Sequence, residues 1–287
     1  GFIPDYGKDD KSLAKIAVGL NVDELAPVIT DLWTRASQAP VTCPSLKDIQ
    51  NSLKMTNPSM LAMGTAMVQG LQGVSFNLQE LKLKDDAADM PAAVEKLSFV
   101  ASVSGKNPTQ LWGMLSMADP ELANMVKLPA DGQSVDLPIP PVLPLPDKIK
   151  LGLYGQHITV FTGESGAKLA ASLAKQPLAA NGFYQLGLDY GLLADMAQFG
   201  EKQLEQANKA AESAQDAEQA TSGADMTAVP SSAEATATGS NATGEQQEVK
   251  QVITMLEEMR GVRLMTGLDF EPTGIAVKGS MELPQKK

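Results

Sequence analysis

The segment "ITVFTGESGAKLAASL", residues 158–173, holds the residue types that most readily suggest chemistry: a strand-like run, a Gly-rich turn with a serine and a lysine, then a small-residue helix. A phosphate-binding loop needs a glycine, four intervening residues, then Gly-Lys and a hydroxyl residue. Backbone N–H groups then wrap the phosphates and the hydroxyl holds Mg²⁺. Here Lys168 follows Gly163 by five positions, and Leu169 stands where the hydroxyl belongs. The loop is one residue short and lacks the metal ligand. Nor is Gly163-Glu164-Ser165-Gly166 a nucleophile elbow, which requires a glycine two places after the serine. The plainer expectation is that Ser165 caps the following helix.

A serine nucleophile also needs a base, and the chain has one histidine, His157. It falls in a predicted hairpin turn near Gly155-Gln156, where an exposed turn residue is expected. Cys43, in "VTCPS", is the lone cysteine and can form no internal disulfide. No cation or base stands beside it to activate the thiol, so a small, partly buried residue is expected. One His and one Cys exclude ordinary His/Cys zinc sites. Asp119, Glu121 and Asp131 surround loops without metal-binding spacing. The residues therefore assign no catalytic, cofactor or metal site, and no cofactor.

Apolar binding is the stronger candidate. Met60, Met63, Met67, Met114 and Met117, with Trp33 and Trp112, could line a pliable pocket between helices and sheet, since methionine adapts to varied shapes. Simple core packing accounts for the same residues, because they fall on helical faces that must bury something.

The elements that would position these residues are legible from periodicity. Residues 13–20 read as a strand. Leu25, Val28, Ile29, Leu32 and Trp33 recur at helical spacing after Asp23, with Pro27 in the first turn. A short helix follows Ser45. Asn57-Pro58 and Asn107-Pro108 each pair a cap with a first-turn proline, before "SMLAMGTAMVQGL" and "TQLWGMLSM". "GVSFNLQELKL", residues 73–83, alternates: Val74, Phe76 and Leu78 point one way, Ser75, Asn77 and Gln79 the other, which predicts a strand wet on one face. "KLSFVASVSG" alternates likewise. Residues 148–163 and 261–283 read as hairpins, turning at Gly155-Gln156 and at Pro272-Thr273-Gly274. A helix over 249–259 is expected to turn Val249, Val252, Ile253 and Leu256 inward.

Half-wet antiparallel strands with helices between them predict an α+β fold, antiparallel sheets with packed helices. Gly19-Leu20-Asn21 and Gly187-Leu188-Asp189 each end a strand and open a Leu-rich helix; Gly73-Val74 and Gly261-Val262 each open a later strand. The order predicts an internal duplication, with Asn21 and Asp189 as strand-to-helix turn formers. The expected division is a first half (1–136), a Pro-rich stiff crossover (137–146, "LPIPPVLPLP") and a second half (147–287). The second half carries an acidic insertion over about 205–248, expected to be mobile over 221–248.

Of a net charge of −11, −7 lies in residues 201–248, and only three arginines occur, at 35, 260 and 263. With no basic cluster, nucleic-acid binding is disfavoured. No apolar run is long enough to span a membrane.

The phrases "YQLGLDYGLLADM", "LSFVASVSGKNPTQLWGML" and "KIKLGLYGQHITVFTGESGAKLAASL" resemble segments of large secreted or lipid-anchored bacterial cell-envelope proteins built from repeated α+β units. The resemblance covers most of the chain outside 205–248. It implies a periplasmic or cell-surface location, with anchoring through a removed leader compatible with a chain that begins at Gly1. It carries over no functional residue. The expected function is a non-enzymatic envelope protein, a binding or structural module with a protein or lipid partner. The alternatives are a carrier of a lipid or other apolar ligand in a Met/Leu-lined cavity, and a carboxylate-based hydrolase.

Overall fold

The computed structural model describes residues 1–6, 11–55, 68–84, 93–138, 145–178, 182–221, 242–271 and 274–283. Its strands are β1 (Ala14–Gly19), β2 (Leu71–Leu83), β3 (Val94–Gly105), β4 (Gln133–Asp136), β5 (Lys150–Tyr154), β6 (His157–Thr162), β7 (Gly182–Asp189), β8 (Arg263–Glu271) and β9 (Gly274–Glu282). They form one nine-stranded sheet in the order β4-β5-β6-β3-β2-β1-β7-β8-β9. Every neighbouring pair is antiparallel. The mixed α+β reading of the sequence therefore holds.

The two short hairpins close where turn chemistry placed them, with Tyr154 opposite His157 and Glu271 opposite Gly274. The Pro-rich run does not divide the sheet: β4 before it pairs with β5 after it, and Leu137 N–H donates to the Ile149 carbonyl at 2.8 Å. Residues 139–144 of that run lie outside the described residues.

The helices are α1 (Val22–Gln38), α2 (Pro44–Met55), α3 (Pro108–Ala118), α4 (Pro120–Met125), α5 (Gly163–Leu173), α6 (Tyr190–Thr221) and α7 (Ala242–Glu258). Asn107 caps α3 as its sequence predicts, its Oδ1 accepting from Gln110 N–H at 3.1 Å with Pro108 in the first turn. Ser165 does not cap α5. That helix opens at Gly163 directly from β6, and the Gly166 N–H in its first turn donates to Ser98 Oγ of β3 at 2.8 Å. A helix with no linker before it takes its cap from the neighbouring strand. α6 and α7 also run into both ends of the segment expected to be mobile; residues 222–241 lie outside the described residues.

At the β3–β6–β5 end the sheet is covered on both faces. Val100, Phe161, Ala170 and Leu173 form a core under α5. On the opposite face Leu151, Leu153 and Ile158 pack with Leu111 of α3 and with Val126. The α1–α2 and α6–α7 pairs lie outside these two cores; the start of α6 is buried through Leu192, Ala194 and Phe199, and the rest of the pairs is largely exposed. Of the expected inward set on α7 only Ile253 is buried, while Val249 and Val252 are exposed. On α1, Leu25, Val28 and Leu32 are likewise exposed.

Among the described elements, β1–α1–α2–β2–β3 and β7–α6–α7–β8–β9 follow the same order, and β1 and β7 pair at their junction with Ile16 opposite Leu186. The two Gly-Val pairs do not fill matching places. Gly73 lies inside β2 opposite Gly19, whereas Gly261 precedes β8 with φ +84°. The residue that stands like Gly261 is Gly70, with φ +85°, just ahead of β2. Both positions need a left-handed backbone, which glycine adopts without steric cost.

Candidate functional site

Strand alternation divides the sheet into two faces of opposite chemistry. On one face, register places Asn77, Lys15, Gly187, Met265 and Ser280 in one cross-strand row, and Ser102, Ser75, Ala17, Gln185, Gly267 and Lys278 in the next. On the other face the middle row is Ala101, Phe76, Ile16, Leu186, Thr266 and Gly279. The rows on either side of it, through Leu78 and through Val74, carry no charged side chain from β3 to β9.

Burial is inverted with respect to this chemistry. On the polar face Lys15 is 5% exposed and Asn77 0%; on the apolar face Ile16 is 43% exposed, Phe76 38% and Val74 37%. The sequence predicts the alternation of β2 correctly and leaves open which of its two sides is wet. A half-covered antiparallel sheet ordinarily buries its apolar side. Here the elements that return to the sheet land on the other side.

The first of these is a strap formed by residues 1–6. Phe2 N–H donates to the Gln72 carbonyl at 2.7 Å, and Phe2, Pro4 and Tyr6 are buried. Tyr6 Oη bonds Ser75 Oγ at 3.2 Å, and Ser75 bonds Ser102 Oγ at 2.7 Å. The Lys15 ammonium lies 5.1 Å from the centre of the Tyr6 ring, a cation–π contact that stabilises a buried charge. Gly73 permits the approach: a Cβ there would stand 2.2 Å from the Phe2 carbonyl oxygen. That close passage, more than a repeat, is what requires glycine at 73.

The second is α5 with the turn after it, which meets His157. His157 is fully buried, not an exposed turn residue: it opens β6 on the polar face. Its Nε2 lies 3.0 Å from the Gln176 carbonyl, which can only accept, so Nε2 carries the proton. Nδ1 therefore accepts from Ser104 Oγ at 2.8 Å. The Phe2 ring covers the imidazole at 5.0 Å between centroids. Burial pushes the His157 pKa below its ordinary value, partly offset by the Gln176 carbonyl. Ser104 and His157 thus form a serine–imidazole pair sealed beneath the strap, with Ser104 1% exposed.

The strand-to-helix junctions are built from the residues the sequence pairs. Asn21 Oδ1 accepts from Gln72 Nε2 at 3.0 Å, and Asp189 Oδ2 accepts from Arg263 Nε at 3.2 Å. Asp189 Oδ1 also takes the Gly191 N–H at 2.7 Å, closing the turn into α6. Asp23, in the first turn of α1, accepts from Gly70 N–H at 2.8 Å and from Lys106 Nζ at 2.6 Å. Those two donors, the lysine first, hold its carboxyl below the usual range.

Of the predicted pocket residues, Trp112 and Met114 pack against the Leu111–Ile158 core. Trp33 is held in the α1–α2 hairpin by a 3.0 Å bond from Nε1 to the Leu53 carbonyl, and Met117 is 77% exposed. Met60, Met63 and Met67 lie outside the described residues. Cys43 is exposed ahead of α2, not partly buried. Asp119 serves its own loop, accepting from the Glu121 N–H at 3.1 Å, and Asp131 reaches the β5–β6 turn, accepting from the Gly155 N–H at 2.7 Å. Among the described residues no three of His, Cys, Asp and Glu gather as metal ligands, and no helix is long and apolar enough to cross a membrane.

Sequence reasoning missed the strap, the buried His157 and the exposed apolar face. Only the last left a signal, the uninterrupted alternation of residues 73–78, which names two faces without saying which is covered. No protein-family model matches the chain, and neither a curated protein nor a solved structure is similar to it.

Proposed function

We propose that the protein is a non-enzymatic cell-envelope binding module, of duplicated α+β design, that lays the acyl chain of a lipid across the apolar face of its sheet. One observation carries the reading: Ile16, Val74 and Phe76 stand at the middle of a nine-stranded sheet and remain more than a third exposed. Contiguous exposed apolar area of this kind marks a binding surface in a folded chain. The rows from β3 to β9 cross six strands, about 24 Å at ~4.8 Å per strand, long enough for an extended acyl chain. Their lack of charge favours a hydrocarbon occupant, since protein interfaces carry polar groups at their rims. The matching order of β1–α1–α2–β2–β3 and β7–α6–α7–β8–β9, with Asn21 and Asp189 in the same junction role, supports the duplicated design. The envelope location rests on the resemblance in sequence.

Native mass spectrometry of protein from its natural compartment tests the proposal, together with displacement of a fluorescent fatty acid. A copurified acyl species, or saturable probe binding lost in Phe76→Glu, supports it. Failure of both, or capture of a protein partner on this face in their place, overturns it.

A further inference from the structure

The polar face carries a second feature, independent of the apolar one. An open cleft of about 770 Å³ lies over β7, β8 and β9, between the strap and the sheet edge. Its floor is low because the neighbours of Gln185 are small: Ala17 and Gly267 flank it within its row, and Gly187 lies in the next row. Gln185 lines this floor, and its Oε1 is buried without a hydrogen-bond donor among the described residues. Buried acceptors are nearly always paired, so an orphan at the bottom of a cleft marks a place where a donor belongs.

The walls are cationic. Lys15, buried, holds its ammonium over the Tyr6 ring at the inner wall. Lys175 follows α5 above the cleft, exposed and with no side-chain bond among the described residues. Lys278 stands on the edge strand, paired with Asp269. Three lysines face two aspartates in the lining, a net positive cleft in a chain of net charge −11. The lysines come from three separate elements, so they surround the space instead of forming one surface stripe.

We propose that this cleft binds a polyol phosphate group: the phosphate held among the lysines, Lys175 foremost, and a ligand hydroxyl donating to Gln185 Oε1. Lysine ammonium groups act as point charges around an anion, and phosphate presents enough oxygens to meet more than one of them. The same chemistry occurs in a free polyol phosphate and in the glycerol phosphate headgroup of a lipid.

The test uses the full chain and two kinds of probe. Calorimetric titration compares glycerol 3-phosphate with inorganic phosphate, and cosedimentation compares phosphatidylglycerol with phosphatidylcholine vesicles. Glycerol 3-phosphate is expected to bind saturably and about threefold or more tighter than inorganic phosphate, the worth of one hydrogen bond. Lys175→Glu should weaken binding by about fivefold or more through charge reversal, at an exposed position that leaves folding intact. Gln185→Leu should erase the preference over inorganic phosphate. Lys168→Glu, on α5 and outside the lining, should change nothing. Retention by phosphatidylglycerol vesicles, sensitive to Lys175→Glu, assigns the headgroup as the source; binding of glycerol 3-phosphate alone assigns a soluble ligand. The proposal is overturned if neither probe binds, if inorganic phosphate binds as tightly as glycerol 3-phosphate, or if Lys168→Glu weakens binding as much as Lys175→Glu.

Discussion

The side chain of Gln176 grips the backbone of Asp5 from both sides: the Asp5 N–H donates to Oε1 at 2.9 Å, and Nε2 donates to the Asp5 carbonyl. The Gln176 carbonyl meanwhile accepts from His157 Nε2, and His157 lies against Phe2. One residue thus ties the strap, the end of α5 and the start of β6 into a single cover for the polar face. Gln176→Ala should remove the two strap bonds while sparing the imidazole bond. We expect a loss of about 1–2 kcal/mol in urea unfolding and faster amide exchange over residues 2–6. Unchanged exchange in that segment would show that the strap is held by its buried rings alone.

The burial of His157 makes stability depend on pH in a defined direction. Its native pKa lies below the ordinary 6.5, so below pH 6.5 the unfolded chain binds a proton that the folded chain resists. Unfolding free energy should therefore fall as pH drops from about 6.5 toward the native pKa, by at most about 1.4 kcal/mol per pH unit. In His157→Gln that part of the slope should vanish. A slope retained in the variant would assign it to other groups.

Two glycines in helices separate close packing from helix propensity. A Cβ on Gly166 of α5 would stand 2.3 Å from the Phe99 carbonyl oxygen, a backbone atom that cannot move aside. Gly166→Ala should cost about 1–3 kcal/mol. Gly113 of α3 has nothing within 4 Å of its Cβ position, so Gly113→Ala should gain about 0.5–1 kcal/mol. Thermal melts of the pair with the same sign would contradict the packing of α5 on β3.

The inverted sheet predicts an inverted mutational pattern on β2. Ser75→Val should break the chain of hydroxyls from Tyr6 to Ser102 and cost about 1–3 kcal/mol, although it makes a strand residue more apolar. Phe76→Glu, one position on and facing the open side, should stay within about 1 kcal/mol of the parent. Denaturant midpoints of the two variants decide the matter: a tolerated Ser75→Val together with an unfolded Phe76→Glu would mean that the apolar face is the covered one.

The linear pattern of residues carried a good part of this architecture. Alternation over 73–78 and 97–103, the turns at Gly155-Gln156 and before Gly274, and the Asn107-Pro108 cap are local statements. Their causes, pleat geometry, turn dihedrals and first-turn N–H groups, lie within a few residues of each other, so they survive in sequence. Asn21 and Asp189 were legible as turn formers for the same reason. Their partners Gln72 and Arg263, 51 and 74 residues away, were not.

What assembly alone settled is which side of each element meets solvent. Tyr6 reaches Ser75 across 69 residues of chain, and Asp5 reaches Gln176 across 171. Those long-range contacts bring the strap and α5 onto the polar face and leave Ile16, Val74 and Phe76 open. They also bury His157 where a hairpin turn implied exposure, and they supply Ser98 as the cap that Ser165 had suggested. A period of two defines a pair of faces, but the choice of the covered one is made by whichever distant segments pack there, and no local spacing records it.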